Sequence, residues 1–279
     1  MSERLRGPVR TLLLAAWFGA AAIAVVVVAV VAPLLRDRGT RLRAAAFRRW
    51  CRGAARIVGL RIDVAGVPPS GPFFLVANHL SYLDVIVLGA TVRATFVAKA
   101  DVAAWPLIGW LGRAVDTTFI DRTRKRDLLR VLPLLEDRLR AGGGVVVFPE
   151  GTTCDGSRVL PFRSPLFAAA VRAGLPAHAA TLTYETPAHE RHPSDAVCWW
   201  GDMDFLPHLR GLLRLQRCTA RLAFVRHPID DTDRKQLARA THAVIARRFV
   251  PVSRGEEECL PVPAPQPRTS TSFVREPIC

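Results

Sequence analysis

Residues 72–84 read Pro-Phe-Phe-Leu-Val-Ala-Asn-His-Leu-Ser-Tyr-Leu-Asp, and this stretch decides the fold. Residues 73–77 form a short apolar strand, and the polar run after it turns the chain toward a helix. A strand end that turns into a helix is where α/β proteins place reactive groups. Working outward, residues 61–64, 95–98, 117–120 and 145–148 have the same short β-like character, as do 177–183, 196–200 and 220–225. Helical stretches separate them. The clearest carries Leu128, Leu129, Leu132, Leu135 and Leu139 on one stripe and stops at Gly142-Gly143-Gly144. Pro133 inside it is expected to kink or shorten that helix. Alternation of this kind predicts an α/β domain: a central, largely parallel or mixed sheet with flanking helices.

Farther out, residues 11–35 are 25 uncharged and mostly apolar residues. As a helix they reach about 37 Å, more than the roughly 30 Å hydrocarbon core of a bilayer. The run is too long for a signal-peptide core and lacks a small-residue cleavage site, so a retained transmembrane or interfacial helix is expected. Arg4, Arg6 and Arg10 precede it; Arg36, Arg38, Arg41, Arg43, Arg48, Arg49, Arg52 and Arg56 follow. The heavier basic flank favours a single N-terminal span in the cell inner membrane, with the rest of the chain cytoplasmic. Leu42, Ala46, Trp50, Ala54 and Ile57 recur at helical spacing among the arginines. That pattern fits a helix on an anionic membrane face or an ordinary surface helix of the domain. The chain thus divides into a membrane anchor with a basic helix (1–56), a catalytic-size domain (57–250) and a Pro-rich tail (251–279) carrying Glu256–Glu258.

The formal charge is +15, with only three lysines, Lys99, Lys125 and Lys235, among 39 basic residues. A basic chain suits nucleic acid, an anionic membrane or an acidic ligand. No nucleic-acid-binding motif accompanies the charge, and the apolar run argues against that partner. The six cysteines are scattered with no CxxC pair, so neither a metal site nor a disulfide framework is read, and a reducing compartment fits.

Three segments carry chemistry. In the first, His79 and Asp84 are five residues apart. On one straight helix they would point about 140° apart, but a turn brings carboxylate to imidazole. Such a pair makes a general base, with Asp84 fixing the tautomer of His79. Ser81-x-x-Asp84 equally matches a helix capping box, which would make Asp84 structural. Ser81 lacks the Gly-x-Ser-x-Gly elbow of a hydrolase nucleophile. The second segment, residues 145–153, reads Val-Val-Val-Phe-Pro-Glu-Gly-Thr-Thr: a buried strand ending in a turn. There Glu150 can accept a hydrogen bond from a hydroxyl, and Gly151 permits close approach to the backbone; a plain strand-to-turn junction has the same composition. The third is Phe119-Ile120-Asp121-Arg122, where Arg122 offers a planar fork to a phosphate or is simply a solvated arginine.

Asn-His-x4-Asp, Phe-Ile-Asp-Arg and Phe-Pro-Glu-Gly-Thr, in this order, resemble the motifs of glycerolipid acyltransferases typified by lysophosphatidic acid acyltransferase. The similarity runs from about Pro72 to Thr183 and includes the Lys99…Pro106…Gly109 stretch. The resemblance implies that His79 is the base and Asp84 its partner. It implies that Arg122, Glu150, Gly151 and Thr152 hold the acceptor. It also implies transfer of a fatty acyl chain from acyl-CoA or acyl carrier protein to a lysolipid hydroxyl, with no metal or bound cofactor. Lysophosphatidic acid is the commonest acceptor of that family, so phosphatidic acid formation in phospholipid biosynthesis is the leading expectation. The departures point elsewhere. Thr153 stands where the family often has Arg, Val115-Asp116 replaces a usual Gly, and Ala179 replaces a second Pro. The Thr-Thr-x-Asp-Gly…Pro-Phe-Arg-Ser pattern from Thr152 to Ser164 is similar to the lyso-ornithine-lipid branch. A membrane scaffold with an inactive acyltransferase fold is disfavoured, because His79 and Asp84 are both present.

Overall fold

The computed structural model describes residues 3–31, 37–105, 108–121 and 124–254. Pro106, Arg122 and the tail from residue 255 therefore lie outside the described residues.

The central strand is β2 (Phe73–Ala77), buried at every position. It pairs in parallel with β5 (Gly144–Val147) on one side and β6 (Ala177–Thr186) on the other. Beyond β5 come β3 (Ala94–Lys99) and β4 (Thr118–Ile120), also parallel. Beyond β6, the direction reverses in β7 (Cys218–Phe224), and β1 (Leu60–Ala65) follows β7 in parallel. The order β1-β7-β6-β2-β5-β3-β4 is a mixed, largely parallel sheet, as the apolar runs imply. Covering both faces lets β2 be apolar throughout; burial of Phe74, Leu75 and Val76 contributes about 1.5–3 kcal/mol each.

Helices cover the two faces. On one lie α2 (Asp37–Val58), α3 (Leu83–Thr91) and α8 (Phe205–Arg214), with Leu83, Val87, Leu88, Leu212 and Leu213 in one core cluster. On the other lie α5 (Lys125–Arg140), α6 (Phe167–Ala173) and α9 (Arg234–Arg248). Helix α5 continues through Pro133 to Arg140, so the proline does not shorten it.

The expected strand at 196–200 is absent. Residues Pro193–Ala196 form a short helix, α7, and the N–H groups of Val197 and Cys198 both return to the Pro193 carbonyl. Trp199 N–H then goes to Leu80 O. With those donors committed, no ladder can form; the apolar run reflects burial of Val197 and Cys198 beneath the turn. In contrast, residues 253–254 make a two-residue strand, β8, on β6, three residues past the expected start of the tail.

The apolar run belongs to α1 (Glu3–Val31), and Leu5–Val27 is long and apolar enough to cross a membrane. Its first turns are tied to the domain. Arg6 donates to Arg214 O (2.8 Å), and Arg10 donates to Leu215 O (2.6 Å) and Gln216 O (3.1 Å), at the C-terminal end of α8. Carbonyls at a helix end lack partners within the helix, and these arginines supply them. Further along, Trp17 Nε1 donates to Trp50 O (3.0 Å), and Phe18 meets Trp50 edge-on. Arg10 lies against Gly59 and Trp17 against Gly53, so α1 and α2 run antiparallel as a hairpin.

Candidate active site

The parallel pairing of β2 with β5 sets the site, because it puts the turns that follow them side by side. Asn78 extends the order one residue beyond β2. Its Nδ2 donates to Leu182 O (2.8 Å), and its Oδ1 accepts from Leu182 N–H (2.7 Å), which clamps the turn to β6.

His79 Nδ1 lies 2.7 Å from Asp84 Oδ2. That oxygen also accepts the N–H groups of Leu80 (2.7 Å) and Ser81 (3.0 Å), while Asp84 Oδ1 accepts from the Tyr184 hydroxyl (2.6 Å). Asp84 is fully buried, which is tolerable only because its oxygens have these donors. An ionised Asp84 requires the hydrogen on Nδ1, so Nε2 keeps its lone pair. The ring of His79 stacks on Phe148 at 4.2 Å, which fixes its plane. Asp84 thus makes two sets of contacts, although the N-cap of α3 is Tyr82 and not the Ser81 of the expected capping box. It caps the turn into α3 through the Leu80 and Ser81 amides, and it holds His79. Ser81 is fully buried and accepts from Leu83 N–H, which removes it as a nucleophile.

Glu150 sits in the neighbouring turn. Its Oε1 accepts from His79 N–H (2.7 Å), and its Oε2 accepts from Leu160 N–H (2.8 Å). Burial pushes its carboxyl up to about 8, and the two N–H bonds pull the other way. Each oxygen thus already serves the backbone, one on either side of the site. Gly151 has φ +79°, a left-handed conformation that favours glycine.

One cavity of about 860 Å³ joins these groups. His79, Tyr82, Phe148, Gly151 and Thr152 line it at the sheet edge, and Leu14, Phe18, Ala21, Phe47 and Trp50 line it in the hairpin. His79 thus opens on an apolar space that begins between α1 and the apolar side of α2. The described charged residues along its wall are already engaged. Arg43 pairs with Asp116, Lys99 with Asp101, and Arg113 donates to Ala103 O while lying over the Phe119 ring.

A profile of the acyltransferase family matches residues 61–183. The lyso-ornithine lipid O-acyltransferase of Rhodobacter capsulatus is 41% identical over 202 residues, covering 70% of this chain and 72% of that one. The chain belongs to the acyltransferase family. A 1-acyl-sn-glycerol-3-phosphate acyltransferase of Neisseria meningitidis is 30% identical, over 62% of this chain and 68% of its own. Among solved structures, the 1-acyl-sn-glycerophosphate acyltransferase of Thermotoga maritima superposes with TM-score 0.62 at 20% identity, covering 86% of this chain and 95% of that one, so the acyltransferase fold is shared.

Sequence reasoning missed Tyr184, Tyr82 and His208. Tyr184 looks like an ordinary strand residue, and only the β2–β6 pairing brings it to Asp84. The Tyr82 hydroxyl meets His208 Nδ1 (3.1 Å), and His208 Nε2 meets Cys198 O (2.9 Å), so the ring edge of the cavity is fixed from α8. One signal was available for Tyr184: the chain has only two tyrosines, and a buried phenol needs a partner.

Proposed function

We propose that this acyltransferase moves a fatty acyl chain from a thioester donor to the free hydroxyl of a lysolipid at the membrane surface. The observation that carries the proposal is the His79–Asp84 pair, at 2.7 Å, on the wall of the apolar cavity. His79 Nε2 takes the proton of the acceptor hydroxyl, whose oxygen attacks the thioester carbonyl. Asp84 stabilises the imidazolium that forms. The tetrahedral intermediate expels a thiolate, and the proton on His79 goes to that sulfur. A thiol pKa of about 8.5 makes it a good leaving group. The acyl chain lies among the apolar residues of the hairpin, and Gly151 and Thr152 lie toward the acceptor head group, which Arg122 is expected to bind from the resemblance of its segment. Glu150 holds the amide of His79 and so places the ring. This chemistry calls for no metal or bound cofactor, and the donor is acyl-CoA or acyl carrier protein.

For the acceptor, lyso-ornithine lipid is favoured. A second relative named as a lyso-ornithine lipid O-acyltransferase, that of Brucella abortus, is 37% identical and spans 75% of its own length. Thr153 supports the same acceptor, because the Thr-Thr-x-Asp-Gly pattern that contains it is similar to the lyso-ornithine-lipid branch. Lysophosphatidic acid is the second reading, favoured by the Phe-Ile-Asp-Arg segment and by the Neisseria relative.

The hairpin supports attachment from one side of the membrane. The outward side of α1 carries exposed Leu5, Leu12, Leu13, Ile23, Val26 and Val27, which suit lipid. A helix tied to α8 at its start and to α2 along its length fits a re-entrant hairpin better than a span with its N-terminus on the far side. The test is an acyl-transfer assay in mixed micelles, with acyl-CoA and acyl carrier protein as donors. Esterified product from lyso-ornithine lipid at a higher kcat/KM than from lysophosphatidic acid is expected. Product from neither lysolipid with either donor overturns the proposal.

A further inference from the structure

Thr153 stands where an arginine would reach an anionic head group, yet it carries no charge and its hydroxyl is already committed. Its hydroxyl donates to Trp199 O, on the loop below the catalytic turn. The segment that follows folds back over the Pro149–Gly151 turn. Arg163 N–H donates to Pro149 O (2.9 Å), and Leu160 N–H donates to Glu150 (2.8 Å). Val252 N–H holds the far side of the segment at Gly156 O (3.0 Å). Asp155, the acid nearest in sequence, is taken by the amide and hydroxyl of Ser157. The segment therefore reaches the turn as a fixed strap.

Its basic group lands beside the site. A Cβ placed on Gly151 would meet Arg163 Nε at 3.1 Å and Cζ at 3.3 Å, so the guanidinium packs against this glycine. Gly151 lines the cavity that holds His79. Among the described residues no carboxylate forms an ion pair with Arg163, and the side chain is exposed. It differs in this from Arg43 and Lys99, which line the cavity and have acid partners, whereas Arg163 approaches it behind Gly151.

We propose that Arg163 binds the anionic group of the acceptor lipid, in the role that an arginine at position 153 would otherwise fill. The inference rests on the lysolipid reading above and adds the residue that recognises the head group. The shared chemistry is an oxyanion held by a guanidinium fork, either the carboxylate of an ornithine head group or a phosphate. Gly151 favours this placement, because a Cβ there would crowd the guanidinium and its φ of +79° strains any other residue.

Binding is read separately from turnover, by tryptophan fluorescence of the full chain without donor, since Trp105 and Trp199 line the cavity. The probes are lyso-ornithine lipid, lysophosphatidic acid and uncharged monoacylglycerol. Arg163→Gln is expected to raise the Kd of at least one anionic lipid about tenfold or more, the loss of one charged hydrogen-bonding group. The Kd of monoacylglycerol should stay within about twofold. The anionic lipid that responds identifies the oxyanion. Arg163→Lys should recover part of the loss, and Thr153→Arg added to Arg163→Gln should recover more, a rescue that a structural role does not give. Unchanged Kd for both anionic lipids overturns the proposal, as does an equal loss for all three lipids. Absent turnover in the wild type, with Kd still dependent on Arg163, overturns the acyl-transfer reading and leaves the binding residue standing.

Discussion

Two turns meet at the C-terminal edge of the sheet, each holds one buried carboxyl group, and they use it differently. After β2, Asp84 bonds a side chain that faces the cavity, another that comes from β6, and two amides of its own turn. After β5, Glu150 bonds only amides, one from each neighbouring segment. Asp84 therefore acts on an ionisable ring that can change its charge during a reaction. Glu150 acts on the path of the backbone. A buried acid in an active site is not by that fact a reactive acid; its partners decide what it can do.

The largest expected effects test that division directly. His79→Ala is expected to lower kcat by about 10²–10⁴-fold, the usual cost of losing a general base. Asp84→Asn should cost nearly as much, because a neutral amide no longer stabilises the imidazolium that forms on His79. Glu150→Gln makes the same isosteric change in the other turn and should show mainly as lost stability, about 1–3 kcal/mol from one unsatisfied amide pair. Steady-state rates beside melting curves separate the three. If Glu150→Gln lowers kcat as much as Asp84→Asn at full occupancy of folded protein, the two turns do not divide the work in this way.

A smaller effect sharpens the account of Asp84. Tyr184 is fully buried, and burial together with the Asp84 charge keeps its hydroxyl protonated far above neutral pH. It is thus a permanent donor to Oδ1. Tyr184→Phe keeps the ring and removes the donor, so stability should fall by about 1–3 kcal/mol. The rate should fall by about tenfold or less, since the Oδ2 partners of Asp84 remain. Thermal unfolding and kcat measured on one preparation check both parts. A loss of rate as large as that of His79→Ala would mean that the phenol takes part in proton transfer.

How much of this was readable in the sequence follows from the range of each interaction. His79 and Asp84 are five residues apart, so a strand, a turn and a helix start suffice to suggest the pair. The sheet was readable because strands covered on both faces are short apolar runs. The same signal misled at residues 196–200, where an apolar run fills the core beneath a turn instead of pairing. Tyr184 lies 100 residues from Asp84, and no local pattern encodes that contact. The hairpin was half readable. Hydropathy marks α1, but the bonds from Arg6 and Arg10 to α8 exist only once the chain has folded. The sequence marks Glu150 as a candidate for holding the acceptor, while its bond to the His79 amide depends on the register of β2 with β5.

The finest test of the comparison uses pH. Burial raises the Glu150 carboxyl from 4.5 to about 8. Between those values the folded protein keeps a proton that the unfolded chain has released, so it binds more protons than the unfolded state. Stability must then fall as pH rises through this window. The contribution is fully present below the unfolded value and is lost by the time pH passes about 8. Glu150→Gln does not titrate, so its own curve lacks this component. Other ionising groups are common to both proteins and cancel when the two curves are subtracted. Unfolding free energies of the pair between about pH 5 and 9 should therefore give a wild-type-minus-variant difference that falls steadily with rising pH and levels off above 8. A difference that stays constant across the window would mean that the two amide bonds outweigh burial and keep Glu150 ionised. In that case both turns would hold carboxylates, and their contrast would lie in the partners alone.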